Sequence, residues 1–123
     1  MTAMSTQYVL GKQLEEATVH YLRMVWGADV VDWYTYAKQN GLNGQDTGID
    51  LVAFKNGEAY AVQCKNWDRA VSINDLLSFI HKAKKEGFKK AIVVADKIST
   101  RVEEDIKNYE LDVIFIKAVD VKQ

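Results

Sequence analysis

The stretch DTGIDLVAFKNGEAYAVQCKNW, from Asp46 to Trp67, decides how this chain is read. It contains two mostly apolar runs joined by Asn56-Gly57. Asn-Gly between alternating apolar segments is the strongest short-range signal for a two-residue hairpin turn of type I′. With Asn56 and Gly57 as the loop, Lys55 pairs with Glu58, Phe54 with Ala59, Val52 with Ala61 and Asp50 with Gln63. The hairpin then spans about Ile49–Lys65. One face reads Asp50, Val52, Phe54, Ala59, Ala61, Gln63, Lys65. The other reads Ile49, Leu51, Ala53, Tyr60, Val62, Cys64. Both are apolar in the middle, as expected of a central pair covered on both sides.

That register brings three polar residues to one end of one apolar face. Opposed residues have Cβ atoms about 4.5–5.5 Å apart, and diagonal neighbours roughly 7–8 Å. Asp50 therefore lies opposite Gln63 and diagonal to Lys65. A carboxylate and an ammonium at such a place cost free energy unless paired or solvated. Two readings fit the residues. One is an Asp50–Lys65 ion pair that closes the sheet. The other is a site for a hard cation such as Mg²⁺, with oxygen ligands from Asp50, the Gln63 amide and a nearby backbone carbonyl. Lys65 would then face charge developing on a phosphate or an attacking water.

Outward from the hairpin, the pattern predicts a helix over about Ser5–Trp26, with Leu10, Leu14, Ala17, Tyr21 and Val25 at helical spacing and Gly27 as its stop. A strand is expected near Val30–Tyr36, then a turn-rich loop, QNGLNGQDTG. Ser72 with Asp75 has the form of a capping box. It opens a helix whose buried stripe is Ile73, Leu76, Leu77, Ile80 and Ala83, ending at Gly87. KKAIVVAD contains a buried strand, about Lys89–Ala95. Thr100 with Glu103 signals another helix, to about Tyr109, and LDVIFIKA is the last strand. The fold class is α/β: a mixed central sheet flanked by helices, an αβββαβ core with a further αβ.

The chain has 123 residues, 48% apolar and 27% charged, with net charge −1. This suits a single domain over residues 1–123. Near-neutral charge argues against a strongly basic nucleic-acid coat protein, though a local basic patch stays possible. The single Cys64 excludes an internal disulfide and a cysteine-built zinc site, and fits a reducing cytoplasm. No run approaches a membrane span, and the N-terminal residues lack the form of a signal peptide.

GID, a strand, a turn and QCK together resemble the PD-(D/E)xK nuclease superfamily. Within it the likeness is to the Mrr-like restriction endonuclease group, which carries Gln at the middle acidic position. DTGIDLVAF and YAVQCKNW are similar to the N-terminal nuclease domains of helicase-containing type ISP restriction enzymes. The resemblance implies a restriction endonuclease-like fold and Mg²⁺-dependent hydrolysis of DNA phosphodiesters, with Mn²⁺ able to substitute and a 5′-phosphate left behind. It makes Asp50 the metal ligand, Gln63 the residue at the second acidic position and Lys65 the catalytic lysine. The Cys64 backbone carbonyl becomes a further ligand. GKQLE matches the first-helix pattern of the family and selects Glu15.

Helical geometry separates Glu15 from its neighbour. Glu16 shares the polar row Lys12, His20, Arg23. Glu15 lies beside Gly11, Thr18 and Leu22, on the border of the apolar stripe. DNA-contact candidates are Thr47, Trp67, Arg69, Lys82 and Lys85, with Asp46 also on the substrate side. Trp67 and the lysines also have structural readings: Trp67 as a core-edge plug, and the lysines as a solvated helix end favourable at a C-terminus. Trp26 and Trp33 are assigned to core, and His20 and His81 to the surface. The expected partner is DNA. The working unit is a homodimer or a longer enzyme with helicase, translocase and methyltransferase domains. A non-catalytic DNA- or protein-binding module of the same fold, and a structure-specific junction resolvase, are the alternatives.

Overall fold

The computed structural model describes residues 6–44 and 48–123. Helix α1 (Thr6–Tyr21) runs on into a π-helical turn, Leu22–Trp26. Strand β1 (Asp29–Asp32) and helix α2 (Trp33–Gln39) precede the hairpin, β2 (Leu51–Lys55) and β3 (Glu58–Lys65). Then come α3 (Ile73–Lys85), β4 (Lys90–Ala95), α4 (Val102–Asp105) with a 3₁₀ turn to Tyr109, β5 (Asp112–Ile116) and α5 (Ala118–Val121). The sheet order is β1-β2-β3-β4-β5. The first two pairings are antiparallel and the last two parallel, so the sheet is mixed.

The hairpin forms because its turn residues accept left-handed backbone. Asn56 has φ 52° and Gly57 φ 80°, and Lys55 pairs with Glu58. Both φ values are positive, as a type I′ turn requires. Gly57→Ala is expected to cost about 1–2 kcal/mol, because a side chain disfavours this conformation. Equilibrium urea unfolding checks this; an unchanged midpoint would contradict the turn assignment.

Alternation along the strands divides the interior in two. Val52, Ala61, Ala91, Val93 and Ala95 face α2, α3 and α4, where Trp33, Ala37, Leu76, Phe79, Ile80 and Ala83 cover them. Leu51, Ala53, Tyr60, Val62, Ile92 and Val94 face α1 and α5, where Leu14, Leu22, Ala118 and Val121 cover them. The hairpin is thus sandwiched, and its polar end opens at the sheet margin.

Several expectations are corrected. The strand predicted over Val30–Tyr36 stops at Asp32, which caps α2 by accepting from the Thr35 backbone N–H at 2.8 Å. Along α1 and its π-helical turn, the fully buried positions among the described side chains are Leu14, Thr18 and Leu22, while Leu10 and Val25 are exposed. Thr18 tolerates burial because its hydroxyl donates to the Leu14 carbonyl at 2.8 Å. In α3, Phe79 belongs to the buried stripe, whereas Ile73 and Leu77 are half-buried. Thr100 does not cap α4: Arg101 holds the cap position without a side-chain hydrogen bond. The short α5 was not expected. The capping box at Ser72 and Asp75 is present as predicted.

Candidate active site

The site residues stand where β2 begins and β3 ends. The ladder runs from Lys55↔Glu58 to Leu51↔Val62. Asp50 lies one residue outside it, and its N–H donates to the Val62 carbonyl at 2.9 Å. Asp50 and Leu51 thus both oppose Val62, the two-to-one count of a bulge. This corrects the expected pairing of Asp50 with Gln63 and the simple alternation that followed from it: Ile49 packs with the α3-side core and not with Leu51. The Asp50 carbonyl accepts from the N–H of Trp33 at 3.0 Å, which ties the site to the start of α2. The carboxylate turns into the line of the sheet, and Oδ2 accepts from the Cys64 N–H at 2.7 Å. A side chain here replaces the strand residue that Cys64 would otherwise bond.

That bond also orients the Cys64 carbonyl. In a strand, a residue's N–H and C=O point to the same edge. The Cys64 N–H points at Asp50, so its carbonyl opens on the same side. The thiol lies on the α1 face and donates to the Thr18 hydroxyl at 3.5 Å. Burial pushes the thiol pKa up, and the carboxylates of Asp50 and Glu15 push it further. A thiol disfavoured as thiolate in this way is a poor nucleophile.

Gln63 is 5% exposed. Its Nε2 donates to the Gly48 carbonyl at 2.7 Å. A carbonyl can only accept, so the amide NH₂ faces Gly48 and Oε1 points away from it. Oε1 is buried with no hydrogen-bond partner among the described residues. Gly48 permits this contact through φ +89°; a Cβ there would lie 3.5 Å from Gln63 Nε2 and 3.4 Å from the Phe79 backbone nitrogen.

Glu15 reaches the region from α1. It sits one turn before Thr18, the residue touching Cys64, and therefore on the same helix face. Its side chain is 23% exposed and pairs with Lys12 at 3.2 Å. Glu16 is exposed. Lys65 takes part in none of the ion pairs among the described residues. Its ammonium instead lies over the indole of Trp67, 4.5 Å from the ring centroid.

The other candidates are placed as follows. Arg69 stacks on Trp67 and forms two hydrogen bonds to Asp75, at 2.9 and 3.1 Å. The Arg69 guanidinium, with the Ser72 N–H and hydroxyl, holds the Asp75 carboxyl well below the usual carboxylate range. Lys82 pairs with Glu86 at 3.2 Å and lies over Trp33. Lys85, His20 and His81 are exposed. Thr47 and Asp46 lie outside the described residues.

The donor chemistry fits a hard divalent cation. Among the described residues, no three His, Cys, Asp or Glu side chains converge. The oxygens on offer are the Asp50 and Glu15 carboxylates, the buried Gln63 Oε1 and the Cys64 carbonyl. An all-oxygen set of this kind suits Mg²⁺ or Mn²⁺ rather than zinc or copper. The role of Trp67 and Arg69 as a joined pair could not be read from the sequence, since nothing in it aligns Asp75 with Arg69.

A family model described as "Restriction endonuclease", Mrr_cat_2, matches residues 21–123. The chain belongs to this Mrr-like restriction endonuclease family of the PD-(D/E)xK superfamily. The fold agrees with that assignment: a five-stranded mixed sheet with flanking helices. Asp50, Gln63 and Lys65 lie inside the matched residues, and Glu15 lies before them. Among solved structures, the crystal structure of AF1548, a protein of unknown function, is similar in fold, with TM-score 0.59 and 16% sequence identity. The match covers 84% of this chain and 57% of that one. No curated protein matches the chain significantly. Among the described residues, no helix is long and apolar enough to cross a membrane.

Proposed function

We propose that this domain is a Mg²⁺-dependent endodeoxyribonuclease that hydrolyses DNA phosphodiester bonds in restriction or DNA processing. It works in the cytoplasm, as a homodimer or within a longer restriction enzyme, and Mn²⁺ substitutes for Mg²⁺. Membership of the restriction endonuclease family supports the nuclease class. The observation that carries the finer reading is the buried Gln63 Oε1, which has no hydrogen-bond partner among the described residues and precedes Cys64, whose N–H holds the Asp50 carboxylate. An unsatisfied buried oxygen costs about 1–3 kcal/mol, and a cation ligated there removes that cost.

Asp50 and Glu15 supply the negative charge of the site, and Gln63 Oε1 and the Cys64 carbonyl complete the oxygen set. When bound, a divalent ion supplies Lewis-acid polarisation and a more acidic water. Lys65 donates to the phosphate oxygen that gains charge as the bond breaks. Lys85, exposed on α3, and the solvent side of the Trp67–Arg69 loop contact DNA backbone phosphates. Thr47 and Lys82 are weaker contact sites.

Because Gln63 is neutral, the second carboxylate must come from α1. Glu15→Gln is expected to weaken Mg²⁺ binding roughly 10–100-fold, on the scale of losing a supporting ligand group. Glu16→Gln should change little. Isothermal titration of Mg²⁺ and Mn²⁺ into both variants tests this. Equal affinities in the two would remove Glu15 from the site. Neutral Gln63 is also the observation that favours the rival reading, a binding module without catalysis. Failure of the wild-type protein to bind either metal would support that rival.

A further inference from the structure

The motif lysine does not stand alone. Its ammonium lies 4.5 Å from the Trp67 ring centroid, and the guanidinium of Arg69 lies 4.1 Å from the same centroid. Trp67 is half-buried and packs against the α3-side core, so the ring is anchored from behind. Arg69 is fixed in turn by two hydrogen bonds to Asp75. Asp75 is itself immobilised: its Oδ2 accepts from the Ser72 N–H at 2.8 Å and the Ser72 hydroxyl at 2.9 Å, closing the capping box of α3. A continuous set of contacts therefore runs from the start of α3 through Asp75, Arg69 and Trp67 to Lys65.

We propose that Trp67, braced by the Arg69–Asp75 pair, is the positioning residue for Lys65. This rests on the nuclease reading of the site. A lysine has four rotatable side-chain bonds and a compact charge, so an unsupported ammonium beside a carboxylate would fold onto it. An Asp50–Lys65 pair would spend the carboxylate on an internal ion pair and withdraw the ammonium from substrate. The electron-rich face of an indole offers a second attractive place for the cation. Two cations at one ring would repel; Asp75 neutralises Arg69 and leaves the ring's attraction to Lys65. Trp67 thus acts through Lys65 and not as a stacking surface for bases.

The test compares Trp67→Leu, Trp67→Phe and Arg69→Gln with wild type. Single-turnover cleavage of plasmid DNA in Mg²⁺ gives the rate and the apparent KM, and thermal melting checks folding. Lysine-selective NMR of the protein alone reads the ring-current displacement of the Lys65 side-chain protons. Trp67→Leu should lower the cleavage rate roughly 10–100-fold, the scale of a small misplacement of a reacting group, with KM little changed. Trp67→Phe should restore most of the rate. Arg69→Gln, at the surface and outside the core, should give a smaller loss in the same direction and keeps the test alive if Trp67→Leu does not fold. The Lys65 displacement should be present in wild type, reduced in Arg69→Gln and absent in Trp67→Leu. An unchanged rate in Trp67→Leu would overturn the proposal, and so would a loss confined to KM, which would make Trp67 a DNA-stacking residue. Should wild type cleave nothing, the nuclease reading fails separately. The positioning claim then stands or falls on the Lys65 displacement alone: its loss in Trp67→Leu supports it, and its absence from wild type overturns it.

Discussion

Lys65→Ala should leave Mg²⁺ binding intact and lower cleavage about 10²–10³-fold, the scale on which single stabilising donors act in the transition state. Asp50→Ala should lose both metal binding and cleavage. The two variants separate because the residues do different work. Asp50 is bound into the fold by main-chain contacts to Val62 and Trp33, and its carboxylate is presented at the sheet margin. Lys65 takes no part in ion pairing among the described residues and is held over an indole. Removing Asp50 deletes charge that attracts a cation. Removing Lys65 deletes only a donor to the phosphate. Cys64→Ser should leave cleavage largely unchanged, because the backbone supplies the Cys64 contribution. Calorimetry and a cleavage time course on the same preparations check all three. Strong Mg²⁺ binding by Asp50→Ala would move the metal site elsewhere.

The largest stability effect is expected at Phe79. The ring is 1% exposed and sits in the core between α3 and the sheet. Phe79→Ala should cost about 3–5 kcal/mol from lost burial and the cavity left behind. Domains of this kind are stable by only about 5–15 kcal/mol, so the loss is a large share. The Phe79 backbone also borders Gly48, whose carbonyl holds the Gln63 amide. The variant should therefore lower metal affinity as well as the urea midpoint. A midpoint unchanged from wild type would contradict the core assignment.

How far the sequence could be read depended on where local signals agreed. Asn56-Gly57 specified the turn and the register as far as Leu51↔Val62, because a type I′ turn fixes the pairing that follows until a bulge interrupts it. Ser72 and Asp75 marked the start of α3 for a similar local reason. The segment after Val30 was misread because two periods overlap there. Val31, Trp33 and Thr35 alternate like a strand, while Trp33 and Ala37 repeat like a helix, and Asp32 as cap decides for the helix. In α1, the π-helical turn after Tyr21 changes the residues per turn, so a stripe extrapolated to Val25 ends in solvent. The residues of the candidate site were legible as a motif. Their geometry was not, because Asp50 leaves the ladder and its side chain takes the place of a main-chain partner. No alternation rule contains that substitution.

The nuclease proposal is tested most directly by supercoiled plasmid incubated with the purified domain in Mg²⁺, in Mn²⁺ and in EDTA, beside the Asp50→Ala variant. The account predicts nicked or linear DNA with either metal, and intact plasmid with EDTA or with Asp50→Ala. Intact plasmid with the wild-type protein under every metal, or equal cleavage by Asp50→Ala, would contradict it.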